Sequence, residues 1–191
     1  MSVMKDIFLQ ELKLVYRPGI NALADYLETT DFFTAPASTN HHGAHAGGLC
    51  EHSLMVLKHL RIINSGHGVL LDPDSVVLAA LLHDVCKVNY YKETTRNVKN
   101  EQTGKWEQIP YYTISDAFPL GNGEKSAFVV GRYIELQEDE LLAIRWHMGG
   151  FDESARGGYA ATQCMSVAMK KHPLAVALHL ADMAASYFEG K

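Results

Sequence analysis

His83 and Asp84 stand side by side at the end of an otherwise apolar run, VVLAALLHDV. A carboxylate in such surroundings must be neutralised, pair with a cation or coordinate a metal, and the adjacent imidazole makes metal ligation an attractive answer. A second polar pair, His179 and Asp182, interrupts PLAVALHLADMAASYF. The two residues are three apart and therefore neighbours on one helical face. His52 sits in a third segment with helical apolar spacing. Taken singly, each of these is also the kind of core histidine or helix-pairing carboxylate that an ordinary interior contains. Taken together, His52, His83, Asp84 and Asp182 form a set that helices of a bundle could bring to one point, with positions left open for water.

The elements that would have to position them follow from periodicity and punctuation. Phe8, Leu12 and Val15 recur at helical spacing, and Ile20, Leu23, Ala24 and Leu27 form a second stripe in a segment opening at Pro18. Residues 30–48 lose periodicity, include Pro36 and three glycines, and read as a loop holding His41, His42 and His45. Apolar Leu54, Val56, Leu57 and Leu60 predict a helix from Leu49 to the Ser65-Gly66 pair, mounting His52 rigidly. Asp72-Pro73-Asp74 supplies an N-cap followed by proline at the first helical position. The helix it opens is apolar on nearly every face and must be central. Two β-favouring runs around a glycine-containing turn predict a hairpin within 90–114, and helices are expected over 125–136, 139–148, 159–170 and 173–188, with a loop of functional length at 149–158. The fold class is therefore mostly α, a helical bundle with one small β-hairpin insertion, in a single domain over 1–191.

Composition narrows the function classes. A chain of 191 residues with a hydrophobic fraction of 47% can build a real core. Net charge is −5, so no global positive field is present to hold a long duplex nucleic acid, although a nucleotide or short oligonucleotide beside a bound cation is compatible with it. Cys50, Cys86 and Cys164 are odd in number and widely spaced, which argues for a reducing compartment and against a thiolate zinc site. With no apolar run of membrane-helix length and no signal peptide pattern, a cytoplasmic location away from membranes is expected. No phosphate-binding P-loop, serine-hydrolase elbow or dinucleotide fingerprint is found.

The order His52, then His83-Asp84, then Asp182 resembles the H…HD…D signature of the HD-domain metal-dependent phosphohydrolase superfamily. More specifically, FFTAPASTNHHGAHAGGLCEHSL followed by LAALLHDVCK resembles the HD domain of a bacterial three-prime to five-prime exoribonuclease and its stand-alone relatives. The resemblance implies a helical fold in which His52, His83, Asp84 and Asp182 ligate one divalent cation, such as manganese, iron, nickel, cobalt, zinc or magnesium. Two imidazoles and two carboxylates independently suit a borderline transition metal better than calcium. Asp84 would orient the attacking water while ligating. Lys87, four residues after His83 and on the same face if the helix persists, would meet a phosphate oxygen or the developing charge; its other reading is a solvated lysine at a helix end.

FPLGNGEKSAFVVGRYI and LLAIRWHMGGFD resemble the part of the family where further histidines bind a second metal. Relatives often carry Gly-His-Gly-Glu-Lys-Ser, whereas this chain has Asn122 in the histidine's place. One cation is thus favoured, with Asn122, Lys125, Arg145 and His147 directed to substrate phosphate or base. Arg145 and Trp146 also fit surface pairing and core packing. His41, His42 and His45, beside Gly47-Gly48, could meet an anion near a helix start. The expected activity is hydrolysis of a phosphomonoester or phosphodiester, in a nucleotide or short oligonucleotide, by metal-activated water. The alternatives are a nonhydrolytic nucleotide-sensing module with a structural metal and a metal-dependent oxygenase.

Overall fold

A computed structural model describes residues 2–189 apart from 41, 67 and 69, so His41 lies outside the described residues. The elements run α1 Ser2–Leu14, α2 Ile20–Thr29, α3 Gly48–Gly66, α4 Pro73–Leu82, β1 Tyr91–Lys99, β2 Trp106–Ile114, α5 Asn122–Gly131, α6 Glu138–Trp146, α7 Tyr159–Lys171 and α8 Pro173–Ala184. Short helical turns follow α4 at Val85–Lys87 and α6 at Gly149–Phe151 and Ser154–Arg156, and α8 widens into a π-helical turn at Ala185–Glu189. The fold is mostly α with one antiparallel hairpin, as the periodicity predicts.

The α4 helix is the spine. Asp72 caps it by accepting a hydrogen bond from the Ser75 backbone N–H at 2.9 Å, and every residue from Ser75 to Leu82 is buried. Leu78, Leu81 and Leu82 are each 0% exposed, and burying a side chain of that size contributes about 2 kcal/mol. Around α4 stand α3, α6 and α8, and α3 and α6 both also pack against α8. Outside this group, α1 covers the α3 and α4 side with α2 packed on it, α5 lies on α6, and α7 rests on α6 and α8.

A fully buried carboxylate fastens two of these helices at their starts. Glu140 accepts from the Ser75 hydroxyl at 2.7 Å and from the Gln137 backbone N–H at 2.8 Å, and it pairs with Arg17. Since Ser75 lies in the first turn of α4 and Gln137 is the N-cap of α6, the two helices start together. They also end together, as described below, so they run side by side in the same direction.

Several boundaries differ from the sequence reading. The second helix starts at Ile20 and not at Pro18, because Gly19 takes φ +89°, and a Cβ there would lie 1.9 Å from the Tyr133 carbonyl oxygen. The fifth helix spans Asn122–Gly131, opening earlier and closing earlier than 125–136. The 30–48 loop is held in place: Phe32 and Phe33 pack on Phe8, and backbone bonds run from Gly47 to Thr34 and from Leu49 to Ala35. The hairpin pairs Tyr91 with Ile114 at its base and Lys99 with Trp106 at its tip, and Tyr91 donates its hydroxyl to the Ala37 carbonyl at 3.1 Å. No helix among the described residues is long and apolar enough to cross a membrane.

Candidate metal centre

The α4 helix ends at Leu82, so His83 is its C-cap and Asp84 already has φ −107°. Lys87 therefore does not continue a helical face from His83. It lies in the following 3-10 turn, which brings its Nζ to 2.6 Å from Asp84 Oδ2. The His83 ring turns back on its own helix and donates Nδ1–H to the Ala80 carbonyl at 2.8 Å. A carbonyl can only accept, so the proton is on Nδ1 and the Nε2 lone pair faces inward.

The end of α6 repeats this arrangement. His147 is its C-cap, and Nδ1–H donates to the Ile144 carbonyl at 2.8 Å, again three residues back. The rings of His83 and His147 lie 5.0 Å apart, and both side chains are 0% exposed. His147 was expected to bind substrate. Its complete burial instead places it behind the cleft, with Nε2 3.5 Å from Asp84 Oδ1 and without a hydrogen-bond partner.

His52, from the second turn of α3, and Asp182, from α8, complete the cluster. His52 Nε2 lies 3.1 Å from Asp182 Oδ1, 3.3 Å from His83 Nε2 and 3.8 Å from Asp84 Oδ2. Two sets of donor atoms each fall within 4.8 Å of one another: His52 with His83 and Asp84, and His83 with His147 and Asp182. Donors about 2.1 Å from one cation stand about 3 to 3.5 Å from each other, close to the spacings seen here.

The chemistry of the set fits a cation as well as the spacing does. Burial alone would raise the Asp84 carboxyl. Lys87, then His83 and His147, outweigh it and hold Asp84 well below the usual carboxylate range. For Asp182 burial again raises, while the His52 hydrogen bond and the neighbouring imidazoles lower it to a net downward shift. The buried Asp84 and half-buried Asp182, both held below the usual carboxylate range, stand beside the Nε2 of His147, which has no hydrogen-bond partner. These nitrogen and oxygen donors are of the kind that suits a borderline metal.

Above this floor opens a cleft of about 720 Å³, reaching Asp84, Lys87 and Asp182. Asn122, at the start of α5, lines it as expected. Three other residues assigned to substrate do not. His45 is exposed beyond the cleft, with Nε2 3.4 Å from Glu51. Lys125 is buried behind the wall, bonded to Asp116 at 2.5 Å and lying over the Tyr90 ring. Arg145 has its guanidinium occupied by Glu124, by Asp152 at 2.7 Å and by Ser154 at 2.6 Å, and stacks on Trp146. Sequence spacing could not show which acids would lie across from these cations.

Two further histidines that the sequence singles out, His42 in the loop and His179 beside Asp182, line the cleft. His42, whose ring lies 4.7 Å from that of His52, is lowered to about 4 by burial and then by His52, and its Nε2 is 3.3 Å from the Ser186 hydroxyl. His179 donates Nδ1–H to the His147 carbonyl at 2.7 Å. The far walls are apolar and aromatic, with Tyr91 and Ile114 from the hairpin base, Phe151 after α6 and Tyr187 after α8.

One curated protein, the dihydroneopterin 2',3'-cyclic phosphate phosphodiesterase of Methanocaldococcus jannaschii, is 39% identical over 64 residues, covering 31% of this chain. The match spans about a quarter of that relative's length, 26%. No solved structure matches the chain. The model of the HD domain family matches residues 49–187, a stretch that begins at the first turn of α3, ends past Asp182 and contains all five clustered donors. This chain belongs to the HD domain family.

Proposed function

We propose that the chain hydrolyses a phosphate ester of a small substrate, using one divalent transition cation held by His52, His83, Asp84, His147 and Asp182. The observation that carries this reading is the convergence of five ionised or lone-pair donors on the floor of an open cleft, one of them the buried, unpartnered His147 Nε2. The preference for one cation rests on His83. Both donor triads include it, and an imidazole whose Nδ1–H is engaged with Ala80 has a single lone pair to give.

A cation in this site supplies Lewis acidity towards a phosphoryl oxygen and an activated water at neutral pH. The residues of the chain do the rest. Asp84, ionised and held on both sides, positions the reacting centre at the cleft floor. Lys87 keeps a positive charge through its pairing with Asp84 despite burial, and stands where phosphate charge would need offsetting. Tyr91, Ile114, Phe151 and Tyr187 provide apolar surface for a flat ring carried by the ester, so a nucleotide or a similar heterocyclic phosphate is the substrate class we favour. The relative named for a cyclic phosphate of dihydroneopterin, a flat heterocycle, supports the same choice.

The test is elemental analysis of protein purified without chelator, followed by a panel of nucleoside monophosphates, cyclic nucleotides and nitrophenyl phosphates with manganese, nickel, cobalt or magnesium. Metal-dependent turnover that disappears in Asp84→Ala is expected. A metal-loaded protein that cleaves none of these esters would refute the reading.

A further inference from the structure

His179 has one nitrogen engaged and one open. Its Nδ1–H is committed to the His147 carbonyl at 2.7 Å, which fixes both the tautomer and the ring orientation. The Nε2 lone pair has no hydrogen-bond partner among the described residues, and the half-buried ring lines the cleft. His179 belongs to neither donor triad of the metal cluster.

Gly149 is what keeps that nitrogen uncovered. It takes φ +54°, and a Cβ built there would lie 2.7 Å from His179 Nε2 and 2.5 Å from Cε1. Any side chain at this position would cap the ring edge, and the backbone conformation itself favours glycine. An imidazole locked at one nitrogen and left bare at the other offers a single oriented acceptor to the cleft, whose lining includes Met148, Phe151 and Met183 as well as the Asp84, Lys87 and Asp182 of its floor.

From this geometry we infer that His179 is a specificity-determining residue: Nε2 accepts a hydrogen bond from an O–H or N–H group on the organic portion of the substrate. The assignment rests on the phosphohydrolase reading and refines it, selecting esters of donor-bearing alcohols such as nucleosides over esters of donor-free ones. Such a contact discriminates, because a bound substrate that covers this half-buried nitrogen without offering a donor takes it from water and leaves it unpaired.

Two substitutions separate this role from simple support of His147. In His179→Asn the amide N–H overlays Nδ1–H and keeps the bond to the carbonyl, while nothing occupies the Nε2 position. In His179→Gln an amide oxygen reaches the Nε2 position. The probes are adenosine monophosphate paired with p-nitrophenyl phosphate, and cyclic adenosine monophosphate paired with bis(p-nitrophenyl) phosphate; the nitrophenyl groups carry no donor. His179→Asn is expected to lower kcat/KM on the adenosine ester about tenfold and leave the nitrophenyl ester within about twofold, with metal content unchanged, and His179→Gln to recover part of the loss. Equal loss on both esters, loss of metal, or no loss on either overturns the assignment, as does a wild type that accepts only the nitrophenyl esters. A metal-loaded wild type that cleaves neither sinks the phosphohydrolase reading itself, and this assignment with it.

Discussion

The ends of α4 and α6 use one device in two different settings. Each helix stops at a histidine, and each histidine turns Nδ1–H back to the carbonyl three residues earlier and presents Nε2 to the same point. The helices leading to them differ sharply. The α4 helix is buried from Ser75 to Leu82, whereas α6 opens on three acidic residues and carries Arg145 in its last turn. What suits either histidine to the donor role proposed for it is therefore its anchored ring and full burial, and not the hydropathy of the helix that carries it.

The strongest way to break this equivalence is to remove a donor from each end. Asp84→Ala should abolish metal binding and lower turnover by about a thousandfold or more, read by elemental analysis and ester hydrolysis. His147→Ala is the sharper test. As a donor, its loss should weaken metal binding by at least about 100-fold; a substrate-binding residue would raise KM and leave metal content intact.

The next effects fall on stability, at the opposite ends of the same helices. Glu140→Ala removes the carboxylate joining Ser75, the Gln137 N–H and Arg17, and leaves the Arg17 guanidinium, 12% exposed, without its partner. About 3 kcal/mol should be lost, measured as a shift in urea midpoint. Asp72→Ala removes only the cap of α4, with an expected loss of about 1 kcal/mol by the same measurement.

The smallest effect is pH-dependent and belongs to α6 alone, through the turn that clamps Arg145. Burial raises the Asp152 carboxyl, but hydrogen bonds from Ser154 and Arg145 outweigh it and hold Asp152 below the usual range. A depressed folded pKa contributes stability above the unfolded value, about 4, and loses it as pH falls through the folded one. The melting temperature of Asp152→Asn should thus lie below that of the wild type at neutral pH and converge with it in acid. A gap that persists or widens in acid would remove the clamp from the account of α6.

These contrasts also explain what the sequence could and could not reveal. The α4 helix was legible because an unbroken apolar run can only be interior, and His83 and Asp84 were conspicuous within it. His147 was harder to place: it follows a helix with a charged face, and its burial depends on α4 and α8 packing across it. The same blindness to distant neighbours misplaced Lys125 and Arg145, whose partners Asp116, Glu124 and Asp152 are ordinary surface-type acids in sequence. Lys87 reached the cleft for a reason periodicity could not give, since the helix ends before it and a tight turn delivers the ammonium. His179 is conspicuous for its spacing to Asp182 and His42 for its place among the loop histidines, but neither pattern shows a path into the cleft, which depends on the folded 30–48 loop for one and on the backbone at Gly149 for the other.

Because the five donors arrive from α3, α8 and the two helix ends, an ion among them joins parts of the chain that are far apart in sequence. An ion that binds only this assembled form adds to its stability in proportion to the logarithm of the free concentration. On the proposed function, the unfolding temperature of the protein would be a gauge of the metal around it, and starvation for the ion would shorten the lifetime of the molecule as well as silence it.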